Sequence, residues 1–274
     1  MLKGDYKMGY KLIVMDMDDT LMTSDNEVSA ETAKYLMNIQ AQGYKVVLAS
    51  GRPTDGMMPT AKHLKLDQYK SYVISYNGGK TVNVSDEKVE VSRTVSKSDF
   101  DSIVDFCRAH SLFVLTYQDG YIVYEGEHEY MNIESELTGL PMKQVDDLKA
   151  YIQQDVPKVM GIDYVPNITS IRNNLEGHFN ENIDVTTSKP FFLEFMAQGV
   201  SKGNAITELC QKLDINLSQV IGFGDSSNDI SMLKVVGKAV AMGNANDDVK
   251  AVADEVTLTN DNDGIPHTLK SLLN

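Results

Sequence analysis

The chain has 274 residues, more than one ordinary domain, so two medium domains, each with its own core, are expected. Hydrophobic residues at 42% and charged residues at 23% are ordinary globular values, with no segment of disordered composition. A net charge of −14 argues against nonspecific binding to nucleic acid or an acidic membrane, because phosphate repels the chain as a whole and any bound phosphate must be handled by a local site.

In chain order, the charged start MLKGDYKMGYK has no apolar h-region, and the apolar run 12–15 is too short to span a bilayer. No membrane association is therefore expected. Val- and Ile-rich runs then end in Gly, Asp, Ser or Asn, and each is followed by a helical pattern, the alternation of a parallel α/β sheet. These predicted strands are KLIVMD (11–16), YKVVLAS (44–50), YVISYN (72–77), VIGFGD (220–225), AVAMGN (239–244) and EVTLT (255–259). Between them the texture changes to alternating β patterns, KVEVSRTV and LFVLTYQDGYIVYEG, and helical stretches, SDFDSIVDFCRAH and NITSIRNNLEGHF. The expectation is a discontinuous core, 1–80 and 193–274, with 81–192 inserted as a second α+β domain. Cys107 and Cys210 form neither a disulfide ladder nor a metal motif; they read as small buried hydrophobes in a reducing compartment, which fits the cytoplasm.

Ligands of open parallel sheets bind beyond the carboxyl ends of the strands. Those ends carry Asp16 with Asp18, then Ser50, then Asp225 with Asn228 and Asp229. One aspartate after a strand is ordinarily a helix cap or turn residue. Four carboxylates from two distant segments would repel one another unless a hard divalent cation joined them, and Mg2+, which takes one or two carboxylates with waters and substrate phosphate, suits that chemistry. His110, His128 and His178 are scattered without metal-ligand spacing and read as surface residues.

The motifs DMDDTL (16–21), ASGRP (49–53), GVSKGNAI (199–206) and GFGDSSNDISML (222–233), in this order, resemble those of the haloacid dehalogenase (HAD) superfamily. With the insertion after the second motif, the chain is similar to its Cof-type phosphatases, which carry a type IIB cap on a Rossmann-like core. The resemblance covers the sequence almost end to end. It implies hydrolysis of a small phosphorylated metabolite, a sugar phosphate or similar phosphomonoester, with Asp16 as nucleophile and Asp18 as acid and base. It further implies Ser50, Gly51, Lys202 and Asn228 around the phosphoryl group and Asp16, Asp18, Asp225 and Asp229 around Mg2+, Asp18 by its backbone carbonyl.

One position departs from the pattern. Asp19 stands where the family commonly has glycine, and Asp is among the few residues that accept a positive φ there. Arg52 could meet substrate, meet the inserted domain or form an ion pair. Asn77, in the turn Asn77-Gly78-Gly79, resembles a substrate-contact position, although a plain turn explains it too. A phosphomutase would use the same aspartyl phosphate with a sugar hydroxyl as acceptor, and a receiver-like signalling domain also combines acidic residues, Mg2+ and a lysine, at about half this length. The particular substrate and the oligomeric state leave no readable mark.

Overall fold

A computed structural model of the chain describes residues 9–175, 179 and 181–273. Tertiary contacts divide the chain into two compact units: one comprises the sequence up to Val91 and again from Ser201, the other is Ser92–Val200.

The first unit begins with β1 (Leu12–Met15), β2 (Lys45–Ala49), β3 (Tyr72–Ser75), β4 (Lys80–Asn83) and β5 (Val89–Ser92). The second unit supplies β6 (Phe113–Gln118), β7 (Tyr121–Glu125), β8 (Met142–Gln144), β9 (Val159–Ile162), β10 (Ile183–Thr186) and β11 (Phe192–Ala197). The chain then returns to the first unit through β12 (Val220–Gly224), β13 (Lys238–Ala241) and β14 (Glu255–Val256). The first unit's sheet runs β14-β13-β12-β1-β2-β3-β4-β5. All pairs from β14 to β3 are parallel, and β4 turns back antiparallel to β3.

The central strands are continuous apolar runs because helices cover both faces of such a sheet. Every residue of β1 is fully buried. The register then fixes the polar ends. Met15 lies beside Phe223 of β12 and Leu48 of β2, so the residues that follow these strands leave the sheet at one edge. Helix starts are set by hydroxyl caps: Ser29 Oγ accepts the Thr32 N–H before Ala30–Ala41, and Ser201 Oγ accepts the Asn204 N–H before Lys202–Leu213.

The second unit has a mixed sheet in the order β10-β11-β9-β6-β7-β8, antiparallel apart from β7 with β8. Phe100, Val104, Ile168, Leu193 and Phe195 join helices Lys97–Ala109 and Val165–Asn173 to one face of it.

Three expectations need correction. The segment KVEVSRTV, assigned above to the insertion, contains β5, which extends the first unit's sheet; alternation identifies a strand but not the sheet it joins. The units therefore divide after Val91 and Val200, not near 80 and 192, and the Asn77-Gly78-Gly79 turn leads back into β4. His128 is no free surface residue: its side chain is 13% exposed, lies 3.2 Å from Asp163 and packs against Tyr130 and Tyr164. His110 stacks on Phe106, while His178 lies outside the described residues. Cys107 and Cys210 are free and buried, as expected, and burial pushes the Cys210 thiol up to about 11. Among the described residues no helix is long and apolar enough to cross a membrane.

Candidate active site

Asp16 continues the extended backbone of β1 and is 4% exposed. The chain then makes one wide turn, Met17–Leu21, closed by the Met22 N–H on the Met17 carbonyl at 2.8 Å. Inside it Asp18 is extended (φ −67°, ψ 130°) and Asp19 is left-handed (φ 57°, ψ 6°). Asp19 thus adopts the conformation for which glycine is the usual choice, its side chain exposed and its carbonyl taken by Asn244 Nδ2 at 2.7 Å.

At the end of β12, two strands' worth of polar groups close on the same point. Asp225 is 8% exposed, and its Oδ1 accepts the Thr20 hydroxyl at 2.7 Å. Asp229 is fully buried; its Oδ2 accepts the N–H groups of Asp225 and Ser226 at 3.0 and 3.1 Å. Gly224 is required for this loop, since a Cβ there would lie 2.5 Å from that of Asp229.

Lys202 enters from the start of its own helix, fully buried, and joins the two carboxylate segments. Its Nζ donates to Asp16 Oδ1 at 2.5 Å and to Asp229 Oδ1 at 2.7 Å. Its approach is set by glycine: Gly78 has φ 110°, and a Cβ on it would fall 2.3 Å from the Ser201 carbonyl oxygen.

Burial pushes the Asp16 carboxyl well above its usual range, Lys202 opposes this, and Asp229 and Asp225 add to it. Burial likewise raises Asp225 to about 6; Thr20 works against that shift, and Asp229 and Asp19 work with it. For Lys202, burial favours the neutral amine, but Asp16 and Asp229 outweigh it and the ammonium persists. Oxygens of Asp16, Asp225 and Asp229 lie within 4.8 Å of one another. Three carboxylates against one ammonium leave an excess of negative charge, and an all-oxygen donor set of this size fits a hard divalent cation.

The remaining candidates fall around this cluster. The Asp18 carboxylate stands outside the three-oxygen group, 53% exposed and bonded to Arg52. Ser50 is buried at the end of β2; its Oγ accepts the Arg52 N–H at 3.2 Å and its carbonyl the Asn77 N–H at 2.9 Å. Gly51 packs against Asn77, whose amide atoms a Cβ would meet at 3.3 Å. Asn77, at φ 55°, accepts a bond from Asn228 Nδ2 at 3.0 Å. Thr20, Asn26 and Asn244, to which the sequence alone assigns no role, hold Asp225, Arg52 and the Asp19 carbonyl. Thr20 and Asn244 were visible as polar residues just beyond strand ends; Asn26 carried no signal.

Strand order, register and a carboxylate cluster beyond the carboxyl edge define an α/β protein with an acidic site at the ends of its central parallel strands and an inserted second unit. Residues 13–269 match the family described as haloacid dehalogenase-like hydrolases, and the chain belongs to that family. It is 31% identical over 294 residues to the phosphatase YwpJ of Bacillus subtilis (strain 168), which covers 96% of this chain and 100% of that protein. A crystal structure of a haloacid dehalogenase-like hydrolase from Bacteroides thetaiotaomicron superposes with a TM-score of 0.91 at 34% identity, covering 96% and 99% of the two chains. The HAD subclass IIB sugar phosphatase BT4131 shares the fold, with a TM-score of 0.78 at 24% identity over 95% and 98% of the two chains. This chain is an enzyme of the phosphatase class.

Proposed function

We propose that this chain is a Mg2+-dependent phosphatase that hydrolyses small phosphorylated metabolites, sugar phosphates or similar phosphomonoesters, through a phospho-aspartate on Asp16. The observation that carries the reading is the buried Lys202 ammonium bridging Asp16 and Asp229, with Asp225 in the same oxygen cluster. Such a site tolerates an incoming phosphate only if more positive charge joins it. Bound by Asp16, Asp225 and Asp229, with the Asp18 carbonyl, Mg2+ would supply that charge and neutralise phosphoryl oxygens.

The chain's own groups then divide the work. One Asp16 carboxylate oxygen attacks phosphorus while the bond from phosphorus to the ester oxygen breaks, and Asp18 gives its proton to the departing alkoxide. Water next attacks the same phosphorus, Asp18 takes the water's proton, and the bond to Asp16 breaks to release phosphate. Lys202, Ser50, Gly51 and Asn228 hold phosphoryl oxygens, and Asn77 orients Asn228 through their amide bond. In this reading the inserted unit serves substrate selection. Buried free thiols suit a reducing compartment such as the cytoplasm.

Phosphate release from a panel of metabolite phosphomonoesters tests this reading. Turnover should need Mg2+, stop with EDTA and vanish in Asp16→Asn; undiminished turnover in EDTA would end it.

A further inference from the structure

Arg52 holds Asp18 by both carboxylate oxygens. Its Nε donates to Oδ2 at 3.0 Å and its Nη2 to Oδ1 at 2.5 Å, while Nη2 also donates to Asn26 Oδ1 at 3.0 Å. The Asp18 side chain is 53% exposed but that of Arg52 only 16%. A half-exposed carboxylate left to itself samples several rotamers, whereas a planar guanidinium that occupies both oxygens fixes its direction.

The guanidinium is itself built on fixed backbone. The Arg52 N–H donates to Ser50 Oγ at 3.2 Å, and its carbonyl accepts the Tyr76 N–H at 3.0 Å. Asn26 sits at φ 58° in a tight turn closed by the Thr23 N–H on the Glu27 carbonyl and the Asn26 N–H on the Thr23 carbonyl, both at 2.8 Å. The end of β2 and the turn after the nucleophile thus converge on Asp18 through one side chain.

We propose that Arg52 is a positioning residue for Asp18 and not a contact to the substrate phosphate. Its Nε and Nη2 are already engaged; to bind phosphate through them, it would have to release the group that moves the proton. Arg52 transfers no proton, because guanidinium does not deprotonate in proteins. Its effect on rate is to keep Asp18 within reach of the leaving oxygen, where a displacement of about 1 Å lowers rate by about 100-fold. The proposal rests on the reading of Asp18 as acid and base.

The test compares Arg52→Gln, Arg52→Lys, Asp18→Asn and the double variant Asp18→Asn/Arg52→Gln. Each is assayed with the best alkyl phosphate from the panel and with para-nitrophenyl phosphate, whose leaving group needs no proton. Arg52→Gln should slow phosphorylation by the alkyl ester by about tenfold or more and by the nitrophenyl ester far less, with little change in KM. Lysine should recover only part of the loss, since a point charge cannot grip both oxygens. The double variant should be no slower than Asp18→Asn alone, as for residues acting as one unit. Thermal midpoints check folding, and Arg52→Lys carries the comparison if the glutamine variant does not fold. Equal losses on both esters with a raised KM, or additive losses in the double variant, would overturn the proposal. If Asp18→Asn discriminates between the esters and Arg52→Gln does not, the positioning role alone fails. If Asp18→Asn itself does not discriminate, the acid assignment fails and the proposal with it.

Discussion

Lys202 donates to Asp16 at 2.5 Å across 186 positions of sequence, and the same ammonium reaches Asp229 at 2.7 Å. Removing one partner of a buried ion pair leaves uncompensated charge and destabilises by about 3–5 kcal/mol. Lys202→Met should therefore lower both activity, by orders of magnitude, and the thermal midpoint in EDTA. Saturating Mg2+ should restore part of the midpoint but not the activity. A variant with normal stability in EDTA would mean that burial keeps the carboxylates protonated once the ammonium is gone, so that Lys202 compensates little charge.

Proton linkage follows from Asp225, whose carboxyl is raised by burial to about 6. A group raised in the folded state contributes stability below its unfolded pKa, and that contribution is lost as pH rises through the folded value. In EDTA, urea unfolding of the wild type should lose stability relative to Asp225→Asn between about pH 4 and about pH 7. Mg2+ must displace the same protons, so its affinity should rise with pH, by about tenfold per unit below about pH 6 for each proton released. Calorimetry at several pH values reads this directly; a pH-independent affinity would contradict it.

Asp19 gives a test whose expected outcome is near neutral. It is exposed, left-handed at φ 57°, and tied to Asn244 through its backbone carbonyl, which any residue supplies. Asp19→Gly should leave kcat within about twofold and change stability by less than about 1 kcal/mol, since relief of the left-handed strain offsets the extra chain entropy of glycine. A large fall in kcat or in Mg2+ affinity would instead give its carboxylate a part in the site.

Much of the site could be read from sequence because the sheet itself organises it. Asp16, Ser50 and Asp225 follow adjacent parallel strands, and strand adjacency with register brings their ends together. The less legible features are partnerships between side chains far apart in sequence. Arg52 with Asp18 spans 34 positions and Asn228 with Asn77 spans 151, and nothing in either residue names its partner. Tyr76 takes φ 53°, a conformation no aromatic residue signals, because the chain must double back into β4 beside Ser50. The same hairpin explains why β5 was misplaced: its alternation is equally good for either sheet, and only the turn after β3 decides.

Trapping the phospho-enzyme tests the mechanism most directly. Asp18→Asn should take phosphate from para-nitrophenyl phosphate but hydrolyse the intermediate slowly, because no group then accepts the proton of the attacking water. After mixing with Mg2+ and acid quenching, peptide mapping should find one acid-stable, hydroxylamine-sensitive phosphoryl group per chain, on Asp16, together with a matching burst of nitrophenol. Nitrophenol release without covalent phosphate, or phosphate on any other residue, would contradict Asp16 as the nucleophile.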